Sequence, residues 1–166
     1  MNKTCFYRPK TLFAYCLLPI AYCLFFSCTQ LNVYEKDTAI PNNKWESNFA
    51  IKGKFVITDT TAGYNIYLVL RHTDAYKYDN IWLNIGLKAP GDSLQYQKLN
   101  LELGNDAKGW EGTGMNDIWE VRKVLNDRPL PFKKTGNYEF NITQIMRDNP
   151  LPNIMSAGLR IERIKN

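Results

Sequence analysis

Cysteine is missing from most of this sequence. All four cysteines lie within the first 28 residues, and none occurs from residue 29 to the end. The chain after Cys28 therefore offers no thiol for a disulfide, for a nucleophile or for a zinc site. Its stability must come from a packed hydrophobic core, which a chain of this length can form.

Histidine and clustered charge are also scarce. His72 is the only histidine. The formal charge of +5 comes from 21 basic and 16 acidic residues, but Lys3, Arg8 and Lys10 belong to the extreme N-terminus, where no acid occurs. The rest of the chain is close to neutral and has no run of like charges. It therefore lacks the basic surface that nucleic-acid binding requires, and we expect no nucleic-acid partner.

No catalytic motif is recognisable. His72 stands in RHTDAY without a free thiol or a GxSxG elbow, so we expect a structural or surface role for it. The segment GWEGTG at 109–114 is neither a dinucleotide-binding motif nor a P-loop, and its glycines favour positive φ or close backbone approach, with a binding loop as the alternative. Glu111 with Glu120 is the candidate pair if two carboxylates act on a glycosidic bond. We expect no catalytic residue, no metal site and no cofactor.

The N-terminus has the layout of an export signal. A basic start is followed by residues 11–27, TLFAYCLLPIAYCLFFS, which carry no charge. A basic segment, an apolar run and a small residue before a cut site are typical of a secretory signal. The run is short for a membrane span and contains Pro19. We therefore predict that residues 1–27 are a signal peptide.

The residue after this run is Cys28, which follows Leu24, Phe25, Phe26 and Ser27. A small residue before a cysteine at this point resembles the lipobox of bacterial lipoproteins. Cleavage before Cys28 and acylation with palmitate-type chains would hold the protein on a membrane, since two or three chains anchor stably. A plain signal peptide or an uncleaved anchor helix is the alternative. The polar residues 28–44 are predicted to be a lipidated tether.

From Trp45 onward, apolar and polar residues alternate with a period of two. This alternation is typical of half-buried strands, and Gly, Asp, Asn or Pro separate the segments. The sequence predicts an all-β domain at 45–166, an antiparallel sandwich of jelly-roll type. Residues 142–148 have helical spacing before Pro150 and are predicted to form one short helical turn. The alternating segments lie near 45–57, 66–70, 81–88, 99–103, 118–125, 138–142 and 159–163.

Aromatic residues are dense and suggest a surface for a partner or a glycan, although core packing is the simpler explanation. The best candidate surface is DAYKYDNIW at 74–82, because Tyr76 and Tyr78 would face one side of an extended strand. The candidate partner-binding residues are Tyr76, Tyr78, Trp82, Trp110, Met115 and Trp119.

Four stretches are unusual for a generic β domain: VYEKDTAIPNNKW at 33–45, ITDTTAGYNIYLVLRHTDAYKYDNIWLNI at 57–85, GWEGTGMNDIWEVR at 109–122 and QIMRDNPLPNIMSAGLRIER at 144–163. Placed after a lipobox, they resemble the GldH family of gliding-motility lipoproteins from Bacteroidetes. The resemblance runs from about residue 28 to the C-terminus.

This resemblance implies a cell-envelope lipoprotein required for gliding, with other gliding or type IX secretion proteins as partners and no known catalytic activity. No acidic cluster follows Cys28, so we expect the periplasmic face of the outer membrane. The alternative function is binding or processing of carbohydrate. A source in this phylum would also make Thr38, Thr60 and Ser93 candidates for O-glycosylation, because each lies in an Asp-Ser/Thr motif of the type used there.

Overall fold

The computed structural model describes residues 33–164, and strands make up most of them. A short 3-10 helix occupies Pro41–Asn43. The strands, in chain order, are β1 Val33–Ala39, β2 Lys44–Trp45, β3 Ile51–Ile57, β4 Tyr64–Thr73, β5 Asn80–Lys88, β6 Gln95–Glu102, β7 Gly104–Asn105, β8 Gly109–Trp110, β9 Thr113–Met115, β10 Ile118–Val124, β11 Gly136–Gln144, β12 Leu151–Pro152 and β13 Ile154–Arg163.

Two antiparallel sheets form the domain. One has five strands in the order β1-β13-β4-β10-β9, and the other has four in the order β3-β11-β5-β6. Two small strand pairs, β12 with β2 and β7 with β8, lie outside these sheets. The prediction of an all-β antiparallel sandwich is confirmed, and the alternating segment near 118–125 forms β10, which ends at Val124.

Alternation builds the core, because successive side chains of a strand point to opposite faces. In β3, Ile51, Phe55 and Ile57 are buried, whereas Lys52 and Lys54 are exposed. The same inward-outward pattern recurs in β11. The largest fully buried side chains include Trp45, Ile51, Leu68, Leu70, Ile81, Leu83, Leu103, Phe140, Ile142, Leu151 and Ile154.

The segment predicted as a tether belongs largely to the sandwich. Val33 to Ala39 pair antiparallel with β13, from Val33 opposite Glu162 to Ala39 opposite Ser156. Ile40, the next residue, is buried, and Trp45 is fully buried. The prediction of a tether over 28–44 is therefore wrong from Val33 onward. Polar composition misled it, because alternate residues of an edge strand face solvent and are polar.

The helical turn predicted near 142–148 is also wrong. Strand β11 continues to Gln144, whose side chain is fully buried. Its amide donates to the carbonyls of Trp45 and Asp148, and its Oε1 accepts from the backbone N–H of Met146. The Gln144 side chain thus pairs with the Asp148 carbonyl and the Met146 N–H, which would otherwise need partners within a helical turn. The segment therefore forms an extended strand end followed by a bend.

The predicted signal peptide and Cys28 lie outside the described residues. Within residues 33–164, no helix has the length and apolar character to cross a membrane.

Candidate partner-binding surface

The six candidate partner-binding residues do not form one surface. Tyr76 and Tyr78 lie in the loop between β4 and β5, not in an extended strand, and Tyr76 is buried. Trp110 is half-buried and packs near them. Met115 and Trp119 belong to the hairpin of β9 and β10. Trp82 lies on the outer face of the four-stranded sheet.

An aromatic cluster surrounds His72 at one end of the sandwich. The rings of His72 and Trp110 are 4.6 Å apart in an edge-to-face arrangement, and those of Tyr76 and Tyr78 are 5.8 Å apart. Tyr76 donates a hydrogen bond from its hydroxyl to the carbonyl of Asn80, 3.0 Å away. Tyr76 is buried and packs on the inner side of the cluster, whereas Tyr78 and Trp110 are partly exposed.

His72 is fully buried, as a structural role requires. Its Nδ1 lies 3.0 Å from the carbonyl oxygen of Thr73, so Nδ1 carries the proton and donates. No other described residue hydrogen-bonds the buried Nε2. Burial lowers the pKa of this imidazole, because the charged form would lose its hydration. The side chain is therefore a neutral member of the core.

Trp119 is fixed from two sides. Its indole Nε1 donates to the carboxylate of Asp74 at 2.9 Å. Gly114 lies opposite it across the hairpin, and a Cβ on Gly114 would come within 2.9 Å of the indole ring. The glycine therefore lets the ring lie flat on the strand β9 backbone. This arrangement holds the hairpin against the loop that follows β4.

The hairpin exposes an apolar surface. Met115 pairs with Ile118 across a turn in which Asn116 has a φ of 53°. Met115 is 75% exposed and Ile118 37%. With Met155 they line a concavity of about 720 Å³ on the outer face of the five-stranded sheet, which we call the hairpin patch.

Charged side chains border the hairpin patch. Arg71 and Glu120 are directly opposite each other on β4 and β10, with 2.6 Å between guanidinium and carboxylate. Arg122 also contacts Glu120, at 2.9 Å. The hydrogen bond from Arg71, with that from Arg122, lowers the pKa of the Glu120 carboxyl. A patch with an apolar centre and a paired-charge rim resembles the anatomy of protein–protein interfaces.

The ion pairs of Glu120 with Arg71 and Arg122 argue against Glu111 and Glu120 as the two carboxylates of a glycosidase. Glu120 is held ionised between two arginines, so it is unsuited to donate a proton near neutral pH. Glu111 forms its own ion pair with Lys123. The glycines of this segment are explained by the backbone: Gly112 has a φ of 93°, and a Cβ there would lie 2.1 Å from the carbonyl oxygen of Glu120. Close approach of the loop to β10 thus requires a glycine, as expected.

Trp82 occupies a separate region. It is 43% exposed, and with Tyr78, Asn80, Ile145, Met146 and Arg147 it lines a concavity of about 390 Å³. The backbone N–H of Ile145 donates to the carbonyl of Trp82. Tyr96, 52% exposed, lies on the same face, packed over Gly86, where a Cβ would come within 2.8 Å of its ring.

The candidate glycosylation sites differ in accessibility. Thr38 is half-buried within β1, and Thr60 is half-buried in the loop after β3. Ser93 is exposed, in the connection between β5 and β6. A place in the predicted tether would make Thr38 the most accessible of the three, but pairing of β1 with β13 places it in a sheet. Modification of all three stays a prediction, with Ser93 now the most accessible.

Sequence reasoning missed several residues of these surfaces. Ile118 has the pattern of an ordinary strand residue, Met155 lies outside the alternating segments, and Arg71 and Glu120 give no sign in the sequence of facing each other. The hairpin turn Asn116-Asp117 between two apolar residues was the usable signal. Among residues 33–164, no three His, Cys, Asp or Glu side chains group closely enough to hold a metal ion.

Comparison with known proteins gives consistent matches over most of the chain. The sequence profile of the GldH lipoprotein family matches residues 32–161. The gliding motility lipoprotein GldH homolog of Christiangramia forsetii is 27% identical over 150 residues, covering 86% of this chain and 91% of that protein. The gliding motility lipoprotein GldH of Flavobacterium johnsoniae is 25% identical over 154 residues, covering 89% of this chain and 94% of that protein.

Similarity to solved structures is weaker. A family GH115 4-O-methyl-α-glucuronidase has a TM-score of 0.39 and 11% identity, and the match covers 78% of this chain but only 16% of that enzyme. A similarity of this size carries no statement on function.

Fold and surface together define an antiparallel β-sandwich whose exposed features are an apolar hairpin and aromatic side chains. The family profile matches most of the chain. The chain belongs to the GldH lipoprotein family, and the resemblance seen in the sequence is confirmed. Both relatives are named as motility lipoproteins, and neither name denotes an enzyme.

Proposed function

We propose that this protein is a lipid-anchored, non-catalytic assembly module of the gliding apparatus. Acylated Cys28 holds it in the outer membrane, and the sandwich faces the periplasm and contacts other gliding or type IX secretion proteins. The observation that carries the proposal is the family match over residues 32–161, which begins four positions after Cys28.

The hairpin patch is the surface that we assign to the partner. Met115 and Ile118 are exposed apolar side chains on paired strands, so the backbone that carries them is already ordered before a partner covers them. The paired charges of Arg71, Glu120 and Arg122 around them favour a protein partner with a matching polar rim. Tyr78 and Trp110 contribute a second, smaller aromatic surface at the end of the sandwich.

Crosslinking and pull-down from the native envelope test this function. Wild-type protein should recover gliding or secretion components. Met115→Ser with Ile118→Ser should lose them, and Cys28→Ala should weaken recovery and release the protein from the membrane fraction. Val56→Ser is the matched control, since Val56 is 62% exposed on β3 and lies outside the hairpin patch. Equal recovery with the hairpin variant and wild type would exclude the patch, and recovery of no envelope protein would exclude the assembly role.

Orientation is tested separately. The domain should resist protease in intact cells and be digested after the outer membrane is opened. Digestion without lysis would place it on the cell surface.

A carbohydrate-binding role is the second candidate. Trp82 and Tyr96 are exposed on one face of the four-stranded sheet, with the amide side chains of Asn84 and Asn141 on the same face. Asn141 donates to the Tyr96 hydroxyl at 3.2 Å. Aromatic rings and amides on one face of a sheet suit stacking and hydrogen bonding to sugars. Retention on a glycan array that Trp82→Ala and Tyr96→Ala abolish would support this role over the assembly role.

A further inference from the structure

A second concavity lies where the edge strands β1 and β3 approach each other. It has a volume of about 740 Å³ and is bordered by Tyr34 and Gly53. Gly53 forms part of its floor, since a Cβ there would come within 2.3 Å of the Phe140 ring and 3.0 Å of the Tyr34 hydroxyl. We call this concavity the lysine groove, because its walls carry Lys36, Lys52, Lys54 and Lys88.

Positive charge dominates the lysine groove. Glu139 is the one carboxylate among its lining residues, against four lysines. It is shared between Lys54, at 3.0 Å, and Lys88, at 3.6 Å. Within residues 33–164, no ion pair includes Lys36 or Lys52. Most of the charge in the groove is therefore left without a partner in the fold, and an anionic surface could neutralise it.

The lysine groove lies close to the point where the tether enters the fold. Val33 begins β1, and Tyr34 follows it directly. Gly53 is beside the Tyr34 hydroxyl, and Lys52 and Lys54 flank Gly53. Lys36 is on the same side of β1 as Tyr34, because the side chain of the intervening Glu35 faces away and bonds Arg160.

The predicted tether shortens to 28–32, because β1 and the residues that follow it to position 44 belong to the described fold. Cys28 and Val33 are five positions apart, so the chain between them can span at most about 18 Å. A lipid on Cys28 would therefore keep the start of β1 near the bilayer. Electrostatic attraction decays over a Debye length of about 8 to 10 Å at physiological salt. Lysines beside the tether can come within this distance of the bilayer, where a negatively charged surface attracts them.

We propose that the lysine groove docks on the anionic phospholipid headgroups of the membrane that carries the Cys28 anchor. This inference rests on the proposed lipid anchor, which supplies the proximity. Docking would orient the sandwich, since the lysines lie on one side of it. The hairpin patch belongs to the opposite edge of the five-stranded sheet, at β9 and β10, and would be held away from the lipid for a partner.

Vesicle binding by the unacylated protein tests the groove without the anchor. The chain from residue 28 carrying Cys28→Ala is mixed with phosphatidylglycerol-containing vesicles and with pure phosphatidylcholine vesicles, and sedimentation measures the bound fraction. We expect binding to the anionic vesicles only, decreasing as salt rises. Since each lysine near an anionic surface contributes roughly fivefold to binding, changing Lys36, Lys52, Lys54 and Lys88 to Gln should weaken binding by more than about tenfold.

The matched control removes the same charge elsewhere. Lys44, Lys98, Lys108 and Lys133 are exposed and do not line the groove, and changing them to Gln should reduce binding by less than about threefold. Circular dichroism verifies that both variants are folded. Equal loss in the two variants, equal binding to neutral vesicles, or no binding to anionic vesicles at low salt would each overturn the proposal. Complete competition by millimolar inorganic phosphate would also overturn it, since it would indicate a small-anion site.

Failure of the anchor gives a different result. If Cys28 is not acylated, the membrane-bound fraction of the native protein is the same with and without the substitution Cys28→Ala, whereas vesicle binding by the lysine groove is unaffected.

Discussion

The indole Nε1 of Trp119 donates a hydrogen bond to the carboxylate of Asp74, with 2.9 Å between nitrogen and oxygen. This bond joins β10 to the loop after β4, where the backbone N–H of Asp74 also bonds the carbonyl of Asp117. These two bonds add to the ladder between β10 and β4 at the end of the hairpin that carries Met115. They fix the position of the turn, on which partner binding would depend.

Asp74→Ala should loosen this hairpin. We expect the free energy of unfolding to fall by about 1 kcal/mol, because the bond lies at the surface. Trp119 should become more accessible to a fluorescence quencher. Asp74→Asn keeps an acceptor and should behave nearly as wild type. Equal quenching in Asp74→Ala and wild type would show that the bond does not hold the indole.

Gly158→Ala should be strongly destabilising. A Cβ at this position would lie 1.9 Å from the carbonyl oxygen of Lys36 and 2.7 Å from the Cα of Asp37, so β1 could not keep its place. We expect a loss of about 2 kcal/mol or more in chemical denaturation. Ser156→Ala is the control on the same strand. Its buried hydroxyl has no partner among the described residues, so its removal should be neutral or slightly stabilising. Unchanged stability in Gly158→Ala would argue against β1 as a strand.

Gln144→Leu should destabilise the bend after β11. The substitution keeps the volume but leaves the carbonyls of Trp45 and Asp148 and the N–H of Met146 without their partner. We expect a loss of about 2 to 4 kcal/mol in the free energy of unfolding, measured by urea titration. Thr143→Ala, one residue away on the opposite face, should change stability by less than about 1 kcal/mol. A Gln144→Leu protein as stable as wild type would show that these bonds are dispensable.

Stability should decrease as the pH falls below about 6.5. The pKa of His72 is lowered in the folded protein, so the unfolded chain takes up a proton first and is favoured as the pH drops toward the folded pKa. Above the unfolded pKa, the imidazole is neutral in both states and has no such effect. Because His72 is the only histidine, His72→Gln should flatten the profile between pH 7 and pH 5. Denaturation midpoints across this range provide the test, and an equal slope in the variant would assign the effect to other groups.

The strand pattern was readable because one face of each sheet is buried. In β3, β5 and β11, alternation of apolar and polar residues identified the inward positions such as Phe55, Leu83 and Phe140 before any coordinates. Alternation did not identify edge strand β1, because this strand buries only part of one face. The burial of Gln144 was not predicted, because a glutamine in a buried strand end and a glutamine on the polar side of a helix look the same in the sequence.

The candidate site was less predictable. Met115 and Trp119 were identified as part of a glycine-rich segment, but only cross-strand register places Ile118 beside Met115 and Arg71 opposite Glu120. Tyr76 was expected to face a partner and is buried, because the loop after β4 turns it into the core. The lysine groove was invisible for the same reason, since Lys36, Lys52 and Lys88 are distant in the chain.

The sequence by itself determined the all-β fold and the family, and it is the basis of the export signal that we predict. Each depends on residues that are close together in the chain. The patterns are charge before an apolar run for the signal, alternation along a strand for the fold, and characteristic short stretches in a fixed order for the family. Tertiary structure alone decided which strands are neighbours, where the tether ends, and which charges are paired. Those properties arise from contacts between residues far apart in the chain. The register of the strands sets these contacts, and the register depends on the packing of the whole core.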